Sequence, residues 1–174
     1  ADKGKEQVGR IDDVKLKEEK QPKVSVGVLV RRFVNGQEEF LLGKRLKQPY
    51  YGRVGGFTGK VRFGETLEET GRRELVEECG LDGDFQLAGI VRKISYTGEY
   101  IRENLVQDQV MALFLVENVR GDLIEETKES RNFWHPYEKI KDRDDLFNTF
   151  LRFLEISRTG KMDSIEYIGE AEGY

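Results

Sequence analysis

The sequence predicts a layered domain of the α/β or α+β class, and three observations support this prediction. Residues 24–34 (VSVGVLVRRFV) are nearly continuous in β-branched and apolar side chains, as expected of a buried strand. Residues 67–79 carry apolar or small side chains at every fourth position, which is typical of an amphipathic helix. Further segments of both kinds follow along the chain, so strands and helices should pack as separate layers.

The remaining elements are predicted from local patterns. Asn35-Gly36-Gln37 indicates a turn, after which residues 39–42 return as a second strand. Strand patterns also cover residues 85–96 and residues 109–117, and the second of these (QVMALFLVE) is typical of a central strand. Residues 144–158 predict a second amphipathic helix.

Composition and charge limit the class of protein. A chain of 174 residues can bury a substantial core, and a net charge of -4 argues against a stable nucleic-acid partner. The single cysteine excludes an intramolecular disulfide and fits a reducing compartment. No apolar run approaches the roughly 20 residues of a membrane span. We therefore expect a soluble, cytoplasmic protein that does not enter a membrane. We expect it to be a monomer or a homodimer.

The first 23 residues differ in amino-acid composition from the rest. They mix charges of both signs with few large apolar groups, so we expect a flexible N-terminal arm at residues 1–23. A short pairing strand or an oligomer contact around Val14 and Leu16 is the alternative. Residues 24–174 are then expected to form a single domain.

The helix over residues 67–79 has recognisable ends. Thr66 and Glu69 form a capping box at its start, and Gly80 stands where a left-handed C-terminal cap belongs. Glycine is costly inside a helix, so Gly71 indicates close packing against a strand. The stripe predicted to face the core consists of Leu67, Gly71, Leu75 and Cys79.

Six glutamates occupy the fourteen positions 65–78, which is a crowded arrangement of like charges. One interpretation is a solvated surface helix, in which Arg73 forms i, i+4 ion pairs with Glu69 and Glu77. The other is a cation site, because Glu74, Glu77 and Glu78 lie beside the buried stripe and a glycine-rich loop precedes the helix. Oxygen ligands of this kind suit Mg²⁺ or Mn²⁺.

Residues 59–81 (GKVRFGETLEETGRRELVEECGL) resemble the signature of the Nudix hydrolases, G-x5-E-x7-R-E-U-x-E-E-x-G-U, in which U is bulky and aliphatic. Every fixed position matches: Gly59, Glu65, Arg73, Glu74, Leu75, Glu77, Glu78, Gly80 and Leu81. The resemblance implies an α/β/α sandwich around a mixed β-sheet, with the helix of the signature on one face and the C-terminal helix on the other.

The resemblance also implies a chemistry, namely the cleavage of a substituted diphosphate by water with Mg²⁺ or Mn²⁺ as cofactor. Glu74, Glu77 and Glu78 would bind the metal, and one of them or a glutamate on a later loop would activate the water. The carbonyl of Thr58 would join the metal shell. Arg73 would hold Glu65 in an ion pair. The basic residues implied for binding of the substrate phosphates are Lys60 and Arg45.

Two further segments resemble the MutT-like enzymes that hydrolyse oxidised purine nucleoside triphosphates. GRVGGFTGKV at residues 52–61 is similar to a segment of that group, and ETKESRNFW at residues 126–134 places Glu129 as a further metal ligand. Asp144 and Asp145 resemble an aspartate pair that binds the oxidised purine, although a structural role near a helix start is an alternative. Phe57 and Tyr96 are candidates for stacking on a base, and core packing is their alternative role.

The function implied by this resemblance is Mg²⁺-dependent hydrolysis of a nucleoside triphosphate, such as the oxidised purine nucleotide 8-oxo-dGTP, to monophosphate and pyrophosphate. The alternatives are hydrolysis of ADP-ribose, of a nucleotide sugar or of a dinucleoside polyphosphate. A nucleotide-binding sensor without turnover is a further alternative, against which the intact set of glutamates argues. The expected partner is in each case a small nucleotide.

Overall fold

The computed structural model describes residues 20–172, which form one eight-stranded sheet covered by helices. The strands are β1 (Lys23–Val34), β2 (Gln37–Arg45), β3 (Val54–Gly55), β4 (Phe57–Lys60), β5 (Leu81–Tyr96), β6 (Leu105–Gly121), β7 (Ser130–Pro136) and β8 (Asp163–Glu170). The helices are α1 (Leu67–Cys79), α2 (Tyr137–Ile140) and α3 (Phe150–Arg158), with a 3₁₀ turn at Arg102–Asn104. Lys23 already belongs to β1, and most of the expected arm, with Val14 and Leu16, lies outside the described residues.

The sheet is mixed. Its main order is β3-β2-β1-β6-β5-β8, while β4 pairs with β1 and β7 pairs with β2. The β1–β6 and β5–β8 pairs are parallel and the other pairs are antiparallel. All four strands expected from sequence are present, and β5 begins at Leu81, four residues before the expected start.

Helices cover both faces because successive residues of a strand point to opposite sides. Val26 and Val28 of β1 belong to a buried cluster with Leu75 and Cys79 of α1. Leu29 belongs instead to a cluster on the other face, which contains Phe150 and Leu154 of α3. The fold is therefore the expected α/β/α sandwich, in which α1 and α3 lie on opposite faces.

Helix α1 has the expected bounds and caps. The hydroxyl of Thr66 accepts a 3.1 Å hydrogen bond from the Glu69 amide, and Gly80 adopts the left-handed conformation at φ 69°. A Cβ at Gly71 would lie 3.0 Å from the Phe85 ring, so this glycine allows close packing against β5.

The expected burial of Leu67 is wrong, since this side chain is 37% exposed. Four residues turn a helix by about 400°, so each step of the stripe drifts by about 40°. Over the three steps from Cys79 back to Leu67, the drift of about 120° carries Leu67 out of the interface. Thr70 is buried at that end of the helix instead.

The second long helix begins at Phe150 rather than at residue 144. The preceding segment forms backbone hydrogen bonds with β3. The amide of Val54 donates to the carbonyl of Asp145 (2.8 Å), and the amide of Phe147 donates to the carbonyl of Val54 (3.0 Å). Between residues 20 and 172, no helix is both long and apolar enough to cross a membrane.

Candidate active site

A cavity of about 480 Å³ opens over the sheet between β4, the loop before β3 and the start of α3. Its floor is formed by alternate residues of three strands, which share one face because the side-chain period of a strand is two. These residues are Lys23, Ser25, Lys93, Ser95, Gln107, Gln109 and Met111. The floor is mostly polar, whereas Phe147, Phe150 and Phe153 line another part of the cavity.

Several residues expected to bind metal or phosphate line this cavity together. Glu78 comes from α1, Glu129 from the loop before β7, and Thr58 and Lys60 from β4. Arg45 also lines the cavity, and its guanidinium donates a hydrogen bond to the carbonyl of Pro49. The cavity therefore combines carboxylate oxygens with basic side chains, as binding of a metal and a phosphate chain requires.

Glu74 lies directly over the backbone of β4. A Cβ added at Gly59 would overlap the side-chain carbons and Oε1 of Glu74. Only a glycine leaves that space to the glutamate, which gives the glycine at the start of the signature a steric reason. Gly59 pairs with Val26 of β1, so β4, which carries Gly59, is held by the sheet.

Arg73 links the loop before α1 to the carboxylates of the helix. Its guanidinium donates to both carboxylate oxygens of Glu65 at 2.8 and 2.9 Å, and to the carbonyl of Lys60 at 3.1 Å. A fourth hydrogen bond of 2.8 Å reaches Oε1 of Glu74. The ion pair expected between Arg73 and Glu65 is thus present. The hydrogen bond from Arg73 lowers the pKa of the Glu65 carboxyl from 4.5 to about 2.

The glutamates of α1 differ in their electrostatic surroundings. Burial raises the pKa of Glu78 above 4.5, and the like charges of Glu129, Glu74 and Glu77 raise it further. Burial also raises the pKa of Glu74, an effect that the hydrogen bond from Arg73 partly offsets. Glu77 is half exposed, and its carboxylate lies 3.7 Å from the Arg73 guanidinium. A divalent cation would relieve this mutual repulsion.

The donor set therefore fits Mg²⁺ or Mn²⁺, which prefer carboxylate and carbonyl oxygens. Over residues 20–172, however, no three acidic, histidine or cysteine side chains form a complete metal cage. Two of the carboxylates have basic partners: Arg73 pairs with Glu74, and Lys47 pairs with Glu129 at 2.5 Å. A cation at this site would compete with these basic side chains for the carboxylates.

Asn132 is a residue of this region that the sequence patterns did not single out. Its side-chain amide donates 2.8 Å hydrogen bonds to the carbonyls of Glu78 and Ile124. The hydroxyl of Ser130 donates to its carbonyl oxygen at 2.7 Å. Asn132 thus joins β7 to the last turn of α1. A lone asparagine in a strand gave the sequence no periodic signal of this role.

A model of the NUDIX domain family matches residues 21–153, which is most of the chain. The chain belongs to the NUDIX domain family. Two curated relatives, from Danio rerio and Mus musculus, are both named oxidized purine nucleoside triphosphate hydrolase. The first is 37% identical over 101 residues (58% of this chain, 60% of the relative), and the second is 32% identical over 104 residues (59% and 62%). The matches span only about three fifths of those relatives.

Solved structures share the fold of this NUDIX domain. The MutT protein of Bacillus halodurans matches with a TM-score of 0.66 at 18% identity, over 84% of this chain and 90% of that one. The NUDIX domain of Shewanella oneidensis NrtR, solved with ADP ribose, matches with a TM-score of 0.63 at 17% identity, over 84% and 96%. At these identities the likeness concerns the architecture.

Of the residues predicted to contact the base, Asp145 and Tyr96 have other partners in the NUDIX domain. The residues that line the cavity, within the described part of the chain, do not include Asp144, Asp145 or Tyr96. Asp145 accepts two hydrogen bonds from Arg143, which lower the pKa of its carboxyl, while Asp144 is exposed. Tyr96 stacks on Tyr100, with ring centroids 5.4 Å apart.

Phe57, the other aromatic candidate, does line the cavity, but it is only 4% exposed and belongs to the core cluster beneath α1. Its side chain therefore contributes to packing of the core as well as to the wall. Cys79 is buried in the same cluster, and burial raises the pKa of its thiol, as expected of a core residue.

Proposed function

We propose that this NUDIX domain is a Mg²⁺-dependent pyrophosphohydrolase that converts a nucleoside triphosphate, such as an oxidised purine nucleotide, to the monophosphate and pyrophosphate. The observation that carries the proposal is the meeting of Glu78, Glu129 and Lys60 at one cavity. The names of the two curated relatives support the choice of nucleotide.

The chain's own residues divide the work of this reaction. Glu74, Glu77, Glu78 and Glu129, with the carbonyl of Thr58, would hold the metal, which screens the phosphates and lowers the pKa of bound water. Lys60 and Arg45 bind phosphate oxygens. The ion pair of Arg73 and Glu65 fixes the loop before α1 against the helix, and Gly59 leaves room for Glu74.

The test is product analysis of the purified chain with Mg²⁺ against a nucleotide panel. The panel contains normal and oxidised purine triphosphates, ADP-ribose, nucleotide sugars and dinucleoside polyphosphates. Monophosphate and pyrophosphate from a triphosphate are the expected products. Cleavage of ADP-ribose or a nucleotide sugar alone would overturn the choice of substrate, and tight binding without turnover would favour a sensor.

The same assay identifies the general base among the glutamates. Gln is substituted singly for Glu74, Glu77, Glu78 and Glu129, and each variant is assayed over a range of Mg²⁺ concentrations. Substitution of a metal ligand is expected to raise the Mg²⁺ requirement, whereas substitution of the base is expected to lower kcat at saturating Mg²⁺.

We further propose that residues 24–174 act as one domain, in the cytoplasm, as a monomer or homodimer.

A further inference from the structure

A buried carboxylate oxygen without a hydrogen-bond partner lies at the wall of the cavity. The side chain of Glu172 is 10% exposed and lines the cavity. Its Oε1 accepts a hydrogen bond from the backbone amide of Asn148, but its Oε2 has no hydrogen-bond partner. Arg53 Nε is 3.7 Å from Oε2, beyond hydrogen-bonding distance. Buried polar atoms are rarely left in this state, so this oxygen is available to accept a hydrogen bond from a bound molecule.

Lys93 lies on the floor of the same cavity. Burial lowers the pKa of its ammonium group, and the negative charge of Glu172, whose carboxylate binds Asn148 beside Thr149, partly offsets that effect. Its Nζ donates a 3.4 Å hydrogen bond to the hydroxyl of Thr149. An ammonium group has three N–H donors, so Lys93 can also donate to a ligand.

This pair is well separated from the glutamates of the proposed metal site. Lys93 is on β5, and β6 and β1 lie between β5 and β4, which carries Thr58 and Lys60. Three strand spacings of about 4.8 Å give a separation of about 14 Å. One extended nucleotide can therefore place its phosphates near β4 and its base near Lys93.

We propose that Glu172 and Lys93 form the subsite that selects the base, and that this subsite favours guanine-type purines over adenine. The proposal rests on the proposed function only for the identity of the ligand as a nucleotide. Guanine presents two adjacent N–H donors, at N1 and at the exocyclic amino group, which match a carboxylate acceptor. Its neighbouring O6 accepts from Lys93. Adenine has one donor here, the N6 amino group, and an acceptor at N1 where guanine has an N–H, so it can give the carboxylate one hydrogen bond where guanine gives two.

The proposal assigns to Glu172 the role that sequence resemblance had assigned to Asp144 and Asp145. Those aspartates are not among the described residues that line the cavity, and Asp145 is bound to Arg143. Glu172 reaches the wall because β8 pairs with β5 in parallel, from Gly89 with Asp163 to Tyr96 with Glu170. The amide of Ala171 then donates to the carbonyl of Tyr96 at 2.8 Å, which fixes the chain beside Glu172.

Calorimetric titration with GMP and AMP, the products expected from two candidate substrates, tests the proposal without catalysis. The wild-type chain is expected to bind GMP at least about tenfold more tightly than AMP. In Glu172→Gln the remaining carbonyl can still accept from Asn148, and an amide donor replaces Oε2. The preference for GMP should then fall to near unity. Glu170→Gln removes the same charge from an exposed position of β8 and should leave the preference unchanged.

Lys93→Met is the second variant, and circular dichroism verifies that each variant is folded. It should weaken GMP binding by about tenfold and AMP binding little. Equal affinities for GMP and AMP in the wild type, no binding of either, or an unchanged preference in folded Glu172→Gln and Lys93→Met would overturn the inference. A nucleotide hydrolysis assay on the same preparations separates the two proposals: hydrolysis with an unchanged preference contradicts only the subsite, and selective binding without hydrolysis contradicts only the enzymatic function.

Discussion

The side-chain amide of Asn132 donates a 2.8 Å hydrogen bond to the backbone carbonyl of Glu78. Asn132 is 3% exposed and lies on β7, three residues after Glu129. Glu78 occupies the last turn of α1. One buried amide therefore connects the two segments whose carboxylates are proposed to share a metal.

Asn132→Ala is expected to lower the free energy of unfolding by about 1–3 kcal/mol, because it leaves buried carbonyls without their donor. It should also raise the Mg²⁺ concentration needed for half-maximal activity, since the loop that carries Glu129 loses its link to α1. Urea denaturation and Mg²⁺ titration measure the two effects. Asn104→Ala, which removes an exposed 3.0 Å bond to Glu99, should stay within about 0.5 kcal/mol of wild type. Equal effects of the two variants would contradict the assignment.

Gly59→Ala is expected to reduce kcat/KM by about tenfold to 100-fold, because the new methyl group displaces Glu74. The thermal midpoint should change less than the activity, since the atoms that must move belong to one side chain and not to the backbone. A double-mutant cycle with Glu74→Ala isolates the cause. In the Glu74→Ala background the glycine substitution should have almost no effect, and full additivity would show that Gly59 acts in another way.

Arg73→Lys keeps the positive charge but loses the planar fork that binds both oxygens of Glu65. Residues that orient metal ligands typically contribute 10- to 100-fold to metal affinity or activity, and we expect a loss in that range. Arg72→Lys is the matched control on the same helix. Its guanidinium binds Glu68 and Asp82, away from the carboxylates of the site. Steady-state kinetics of both variants decide the question, and a similar loss in Arg72→Lys would contradict a specific role for Arg73.

Glu78→Gln is expected to abolish most activity and yet to stabilise the metal-free protein at neutral pH. The pKa of Glu78 is raised above 4.5 in the folded protein. At pH values between the unfolded-state pKa and the folded-state pKa, the folded state therefore binds more protons than the unfolded state. This residue's contribution to stability is therefore lost as the pH rises through the folded-state pKa. A neutral glutamine avoids that loss, so the stability of the variant should fall less between about pH 4 and pH 8.

Mg²⁺ should make the wild type more stable than Glu78→Gln, which reverses the order expected without metal. A ligand at 100 times its Kd stabilises the folded state by about 2.7 kcal/mol, and we expect such a gain in the wild type and a much smaller one in Glu78→Gln. Thermal unfolding with and without Mg²⁺ measures both. Glu68→Gln, on the exposed side of α1, should respond to Mg²⁺ like the wild type. An equal Mg²⁺ response in Glu78→Gln would remove Glu78 from the metal site.

The sequence predicted best those features that depend on neighbours in the chain. Thr66 and Gly80 mark the ends of α1 through hydrogen bonds within a few residues of each, and the structure places the helix between them. The start of α3 was not predictable in this way. Residues 144–149 contain helix-compatible side chains, but β3, some 90 residues earlier, binds the backbone of Asp145 and Phe147.

The sequence alone determined the helix with its row of glutamates, the glycine before it and the family to which the chain belongs, because these depend on spacing within 23 residues. Only the tertiary structure decided what surrounds them. Strand pairing places Glu172 in the same cavity as Lys93, from which 78 intervening residues separate it in sequence, and leaves Asp144 and Asp145 off the cavity wall. The physical reason is that side-chain proximity across a sheet depends on the register of distant strands, and a one-residue shift in that register would turn Lys93 to the opposite face.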